Sequence, residues 1–399
     1  MQLKNVEHIT VAGGPNLVCH WPRQGGIWRW EEEILVAYIE SPCGYGHLRE
    51  VGHGQEGIWK RGYVRLRRSH DGGKVWADAG KFFDNSLPVE EQRRVLRLDD
   101  YRMDESGRHL GPPRREIDMR SRDAILLMGR SWCGEETEGG AGHIVRDNVA
   151  YCFRSPDRGE NWEEVPSIIW PDNTRTVVEL ANNYLKAENG RLFCWMVGCG
   201  GIEGVATPGG RTYSPQLYAS DDQGENWEFY SEIYCDADNR IAASYPHIVV
   251  LPSGRWVCFL GCWHQAAGAR IRWTSMCVSD DRGLNWSAPR RIQEWSVSPF
   301  PLLLKDGRLM VVYMRRSPDP TGLYAIISRD QGEAWSAPQC LRDDTLDAGP
   351  RGFVDGGYPV AVQLDDGQIL VVYYWQLDDA GVPWHGGRRF IGGTYFDVE

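Results

Sequence analysis

The chain has 399 residues, a formal net charge of −11, 46 glycines and 18 tryptophans. The acidic balance disfavours a nucleic-acid or anionic-membrane surface as partner. No apolar run of about 18 residues offers a membrane span, and the opening stretch Met1 to Glu7 lacks the apolar core of a secretory leader.

The 11 cysteines are odd in number. Cys194, Cys199, Cys258 and Cys262 sit in apolar runs without paired zinc-type spacing and read as buried thiols. With no leader, these thiols suggest a reducing, cytoplasmic setting. The length allows one large domain or three small ones, and internal repeats decide for one.

In chain order, an apolar hairpin comes first, from His20, Trp21, Pro22 and Arg23 to the run Glu33 to Tyr38. Ser69, Asp71, Gly73 and Trp76 follow, the first of five copies of S-x-D-x-G-x-x-W. The others are Ser155 to Trp162, Ser220 to Trp227, Ser279 to Trp286 and Ser328 to Trp335. The motif is a closed turn. Asp accepts backbone N–H groups further along, Gly supplies positive φ, and Trp covers the turn with apolar area. A turn used five times is scaffold.

A second repeat, strand, x-x-Gly turn, strand, alternates with the first. Its clearest copies start at Tyr245, Ser298 and Tyr358 and turn at Gly254, Gly307 and Gly367. Looser copies run from Val177 through Gly190 and from Arg114 through Ala124. Two segments break the rhythm: residues 82–113, with Glu90 to Arg94 as a short helix, and an acidic Gly-rich loop from Glu135.

Paired hairpins make four-stranded blades. The reading is an all-β, six-bladed β-propeller in one domain, with blades at about 20–80, 114–165, 177–232, 243–292, 297–342 and 356–399. The last blade has no S-x-D box, and the run Val6 to Val11 is expected to supply its outer strand and close the ring.

Strand direction sorts residues by face. Inner-strand starts and second-strand ends surround the central pit, where several blades converge. The candidates at inner-strand starts are His20, Arg23, Arg114, Arg115, Glu116, Glu179, Tyr245, His247, Ser298, Asp355 and Tyr358. Those at second-strand ends are Glu40, Arg130, Trp263, His264, Arg315, Arg316, Tyr374 and Trp375, and the same topology places Arg240 and Arg351 near the pit. No His-x-x-x-His, EF-hand loop or Cys-pair framework demands a metal, and no cofactor is expected.

The five boxes resemble the Asp boxes of the sialidase superfamily, directly over Ser69 to Trp335 and through the surrounding strands over nearly the whole chain. The resemblance implies a carbohydrate partner and an exo-acting glycoside hydrolase that releases a terminal, acidic sugar. The superfamily also implies alternatives: a polysaccharide lyase with a His/Tyr centre, a rhamnosidase- or arabinanase-like exo-glycosidase, or a propeller that only binds glycans.

Sialidases use a Tyr nucleophile assisted by a Glu, an acid from a blade-one loop, and three arginines on the substrate carboxylate. Tyr358, nine residues before Gly367, matches the Tyr. Glu179 matches the Glu if its hairpin is longer by about two residues. The sequence departs from the pattern where blade one opens. His20 and Trp21 precede Pro22, so His20 stands where sialidases carry the first arginine. The acid-bearing loop offers His47, Glu50, His53 and Glu56 and no Asp. His20, His47 and His247 make the alternative His-centred site that the lyase and rhamnosidase relatives imply.

Overall fold

The structure is a computed structural model. It describes residues 3–399 apart from 52–57, 132–134, 137–144, 147–148, 172–175, 201–211, 265–270, 317–319, 346–355 and 378–386. Six antiparallel sheets form the blades of a β-propeller. Blade 4 shows the plan, from inner to outer strand: Ile241–Val250, Trp256–His264, Arg272–Ser279 and Arg290–Glu294. In blade 6 the inner three strands are Gly357–Gln363, Ile369–Gln376 and Arg389–Val398. The fourth is the N-terminal strand Leu3–Ala12, antiparallel to Arg389–Val398.

The apolar residues lie between blades. Val257, Phe259, Val311 and Tyr313 fill one interface, and Leu126, Met128, Cys194 and Met196 fill another. Cys194, Cys199, Cys258 and Cys262 are buried. The S-x-D boxes hold the outer hairpins through one repeated network. In blade 4 the Ser279 hydroxyl donates to Asp281 at 2.8 Å and accepts from Gly283 N–H at 2.8 Å. Asp281 accepts the N–H of Asn285, four residues on, at 2.9 Å. The same three bonds recur at Ser155, Ser220 and Ser328. Gly283 has φ +85°, which only glycine takes without strain.

Blade 1 departs from the plan in a way that shapes the centre. Its inner strand is broken into Leu17–His20 and Gly26–Trp30, both paired with Glu33–Pro42. Between them Pro22–Gly25 forms one helical turn, with Pro at its first position, where its missing N–H costs nothing. This turn packs against the inner strands of blades 3 and 6. From it Arg23, with no exposed surface, reaches across the centre. Its guanidinium donates to the carbonyls of Pro246 in blade 4, at 3.0 Å, and of Pro299 in blade 5. The axis is therefore plugged, and the pit has a floor.

Blade 2 corrects the sequence reading. Residues 114–118 form no strand, and among the described residues the blade's sheet is Ile125–Arg130, Ala150–Ser155 and Ser167–Ile169. Pro112 and Pro113 precede a charged run with no period-two apolar pattern, which cannot make an inner strand. The segment runs along the boundary of blades 2 and 3 instead. Arg115 gives its carbonyl to Arg154, and Met119 donates its N–H to Gln223.

The vacant place is partly filled from blade 3. Inner strand Thr176–Lys186 carries five residues from Leu180 to Tyr184 against three from Met196 to Cys194, so it bulges by two. Asn182, inside the bulge, donates to the Gly25 carbonyl at 2.7 Å and accepts from Met128 N–H at 3.1 Å. This is the longer hairpin that a role for Glu179 requires. The insertion after residue 82 includes a helix at Val89–Val95. It is anchored by Tyr101, whose hydroxyl donates to the Pro166 carbonyl at 3.0 Å.

Candidate active site

The pit is built on a backbone irregularity. The inner strands of blades 4, 5 and 6 shift register at Tyr245-Pro246, Ser298-Pro299 and Tyr358-Pro359. Tyr245, Ser298 and Tyr358 take φ of +56°, +54° and +51°, and Trp21, before Pro22 in blade 1, takes +51°. A bulge changes which face a strand residue points to, so these positions leave the ordinary alternation.

Tyr245 and Tyr358 meet. Their hydroxyls lie 2.7 Å apart and their rings stand edge to face at 5.4 Å. Tyr358 is buried, and burial pushes its phenol well above the usual range. Tyr245 and Tyr374 push it further, while Arg316 and Arg272 oppose. The Arg316 guanidinium lies 5.7 Å from the Tyr358 ring centre and donates to the Gly356 carbonyl at 2.9 Å and the Tyr374 hydroxyl at 3.3 Å. Arg272 donates to the Tyr245 hydroxyl at 3.4 Å.

Glu179 is tied to the same strand as Tyr245. Its Oε2 accepts the Tyr245 N–H at 2.9 Å and the Ser244 hydroxyl. Its Oε1 has no hydrogen-bond partner among the described residues. Glu179 and Arg130 line a cavity at the place of the missing blade 2 strand, with Gln24, Gly25 and Asn85. Burial lowers the Arg130 guanidinium to about 9.

Burial raises the Glu179 carboxyl, against the pull of Arg23, Ser244, the Tyr245 N–H and Arg130. A carboxyl whose folded pKa lies above its unfolded one contributes stability at acid pH that is lost as pH rises through the folded value. Glu179→Gln is therefore expected to melt above the native chain at neutral pH, with the gap closing towards pH ~4. Thermal melts across that range check this. A native chain melting higher at neutral pH would mean the surrounding guanidinium groups more than offset burial.

The remaining candidates scatter. His20 has no exposed surface and stacks on Tyr374 at 4.6 Å, behind the tyrosine pair. His247 lies one layer deeper, between Trp195 and Phe300, and burial followed by the Arg23 charge holds it well below its usual value. These two histidines are not joined to His47, which is exposed, so the described residues assemble no His-centred site. Glu50 turns into its own loop, accepting from Gly44 N–H at 2.8 Å and from the Cys43 thiol at 3.5 Å.

Arg240 is exposed and paired with Asp238. His264 is exposed beside Trp273. Arg315 lies over Tyr324 at 5.9 Å, and Trp375 points between blades, donating to Asp344 at 2.9 Å. Their chain neighbours Arg316 and Tyr374 face the pit instead. Arg351, Asp355, His53 and Glu56 lie outside the described residues. Arg272 has no motif around it and was not legible in the sequence.

Residues 131–380 match the family described as BNR repeat-like domain. A protein of unknown function from Dyadobacter fermentans is similar over 99% of this chain and 100% of its own, at 20% identity and a TM-score of 0.68. A Hadza microbial sialidase is similar over 94% of this chain and 65% of its own, at 16% identity and a TM-score of 0.57. The Penicillium chrysogenum α-L-arabinanase is similar over 97% of both chains, at 16% identity and a TM-score of 0.57. No curated protein matches the chain. At these identities the likeness is one of fold, a propeller that sialidases and arabinanases share.

Proposed function

Because the chain belongs to the family of BNR repeat-like domains, on a propeller that glycoside hydrolases share, we propose that it is an exo-acting glycoside hydrolase taking a terminal acidic sugar in its pit. The observation that carries this reading is the Tyr245–Tyr358 hydroxyl pair with Arg272 and Arg316 beside it. Guanidinium groups grip a carboxylate in bidentate fashion, and a phenol held among them is placed to attack or to move a proton. The plug made by Arg23 supports exo action, since a blind pit admits a chain end and cannot be threaded.

The Tyr/Glu couple of sialidases is rearranged here. Tyr358 shares its proton with Tyr245, and Glu179 holds Tyr245 through the backbone N–H. In the proposed step the anomeric carbon forms a bond to Tyr358 Oη as its bond to the leaving oxygen breaks. The phenolic proton passes to Tyr245 as Tyr245 gives its own proton to the departing glycosidic oxygen, which leaves as an alcohol. Water then attacks the anomeric carbon, the bond to Tyr358 Oη breaks, and the proton of the water returns to the phenol pair.

The test is turnover of fluorogenic sialosides, uronides, arabinosides and rhamnosides by the purified chain. Cleavage of a sialoside or uronide supports the reading, and cleavage of only the neutral sugars overturns the acidic specificity. A uronate lyase is the second reading, favoured because the partner of Tyr358 is a phenol and not a carboxylate. It gives an unsaturated product absorbing in the ultraviolet, which a hydrolase does not.

A further inference from the structure

Four inner strands carry the same device, a residue at positive φ followed by proline: Trp21, Tyr245, Ser298 and Tyr358. Residues before proline favour extended backbone, and residues other than glycine seldom take positive φ, so the repetition marks four equivalent places around the pit. Arg23 confirms the level, since it donates to the carbonyls of the prolines after both Tyr245 and Ser298. Three of the four side chains are large aromatics. The fourth, in blade 5, is serine.

The inner strand of blade 5 packs between those of blades 4 and 6, so Ser298 holds the equivalent place between Tyr245 and Tyr358, whose hydroxyls meet. Ser298 has no exposed surface, and its hydroxyl has no hydrogen-bond partner among the described residues. A buried hydroxyl with no partner is not retained for its own bond. What the position supplies is room.

We propose that Ser298 is a positioning residue: its small side chain, between two equivalent tyrosines, is what lets Tyr245 and Tyr358 join across blade 5 into one proton-sharing unit. This deepens the function proposed above, because that unit is the one assigned to the sugar. It also predicts that a large residue at 298 separates the pair without altering either tyrosine.

The experiment uses the full chain labelled with 3-fluorotyrosine and followed by fluorine NMR, with Tyr245→Phe and Tyr358→Phe assigning the two resonances. In the otherwise native chain, Tyr245→Phe is expected to shift the Tyr358 resonance. In Ser298→Ala that coupling persists. In Ser298→Tyr, whose backbone demand Tyr245 and Tyr358 already meet, the coupling is lost.

If Ser298→Tyr does not fold, Ser298→Asn replaces it, since asparagine tolerates positive φ and is bulkier than serine. Coupling that survives in the folded large variant overturns the proposal, as does coupling lost in Ser298→Ala. The readout needs no substrate, so a chain that cleaves no sugar in the panel, yet loses coupling in Ser298→Tyr, sinks the hydrolase reading and leaves this one standing. Where a substrate is cleaved, Ser298→Ala keeps kcat and the large variant loses it.

Discussion

Tyr358→Phe is expected to lower turnover of the cleaved sugar by at least about 10²–10⁴-fold, the range for losing a positioned proton-transfer group, because the variant loses the attacking oxygen together with its proton. The substitution keeps the ring in its place against Trp21, Tyr245 and Tyr374 and deletes only the hydroxyl. One neutral hydrogen bond is lost, so stability should change by about 1 kcal/mol. Tyr245→Phe should cost less activity, since Tyr358 keeps Arg316 over its ring. Steady-state kinetics and thermal melts on the two variants give the comparison. Unchanged kcat in Tyr358→Phe would remove this residue from the chemistry and leave Glu179 and the arginines as the reacting groups.

Arg23→Met is expected to be the most damaging substitution to the fold. Met roughly matches the length of the side chain but donates nothing. The carbonyls of Pro246 and Pro299 lose their donor in a place without solvent, at about 1–3 kcal/mol for each unsatisfied group. Arg23 is also the leading charge that holds down the Glu179 carboxyl, so its loss raises that carboxyl further. Glu179→Gln in the same chain should return part of the stability. Denaturant melts of the two single variants and the double variant measure the coupling. Strict additivity would show that Arg23 and Glu179 do not sense each other and that the plug works through the carbonyls alone.

The parts of the fold written in local chemistry were legible. Ser, Asp, Gly and Trp at fixed spacing close a turn wherever they occur, and each of the second-repeat copies beginning at Tyr245, Ser298 and Tyr358 became an inner pair of strands. What failed was parity. Topology finds the end of a strand, but consecutive residues there face opposite sides, and a bulge resets the alternation. Neighbouring candidates at a strand end therefore could not be told apart by topology, and of Arg315 and Arg316, and of Tyr374 and Trp375, it is Arg316 and Tyr374 that face the pit. The missing inner strand of blade 2 was hidden for another reason. Its replacement, the Asn182 bulge, comes from a different blade and satisfies the helical turn of a third, which no local pattern encodes.

The pairing of Leu3–Ala12 with Arg389–Val398 bears on how the molecule is made. Ribosomal synthesis delivers the outer strand of blade 6 long before its partner. Until then the early segment waits with its peptide groups on water, which suits its mostly exposed, polar sequence. Blades 1 to 5 can assemble during elongation, but the ring is sealed only once Arg389–Val398 has left the ribosome. Its contacts of greatest sequence separation form at that point, and they are the slow ones. A chain stopped before residue 389 leaves blade 6 as a hairpin with an open edge, the kind of surface that chaperones hold and aggregates recruit.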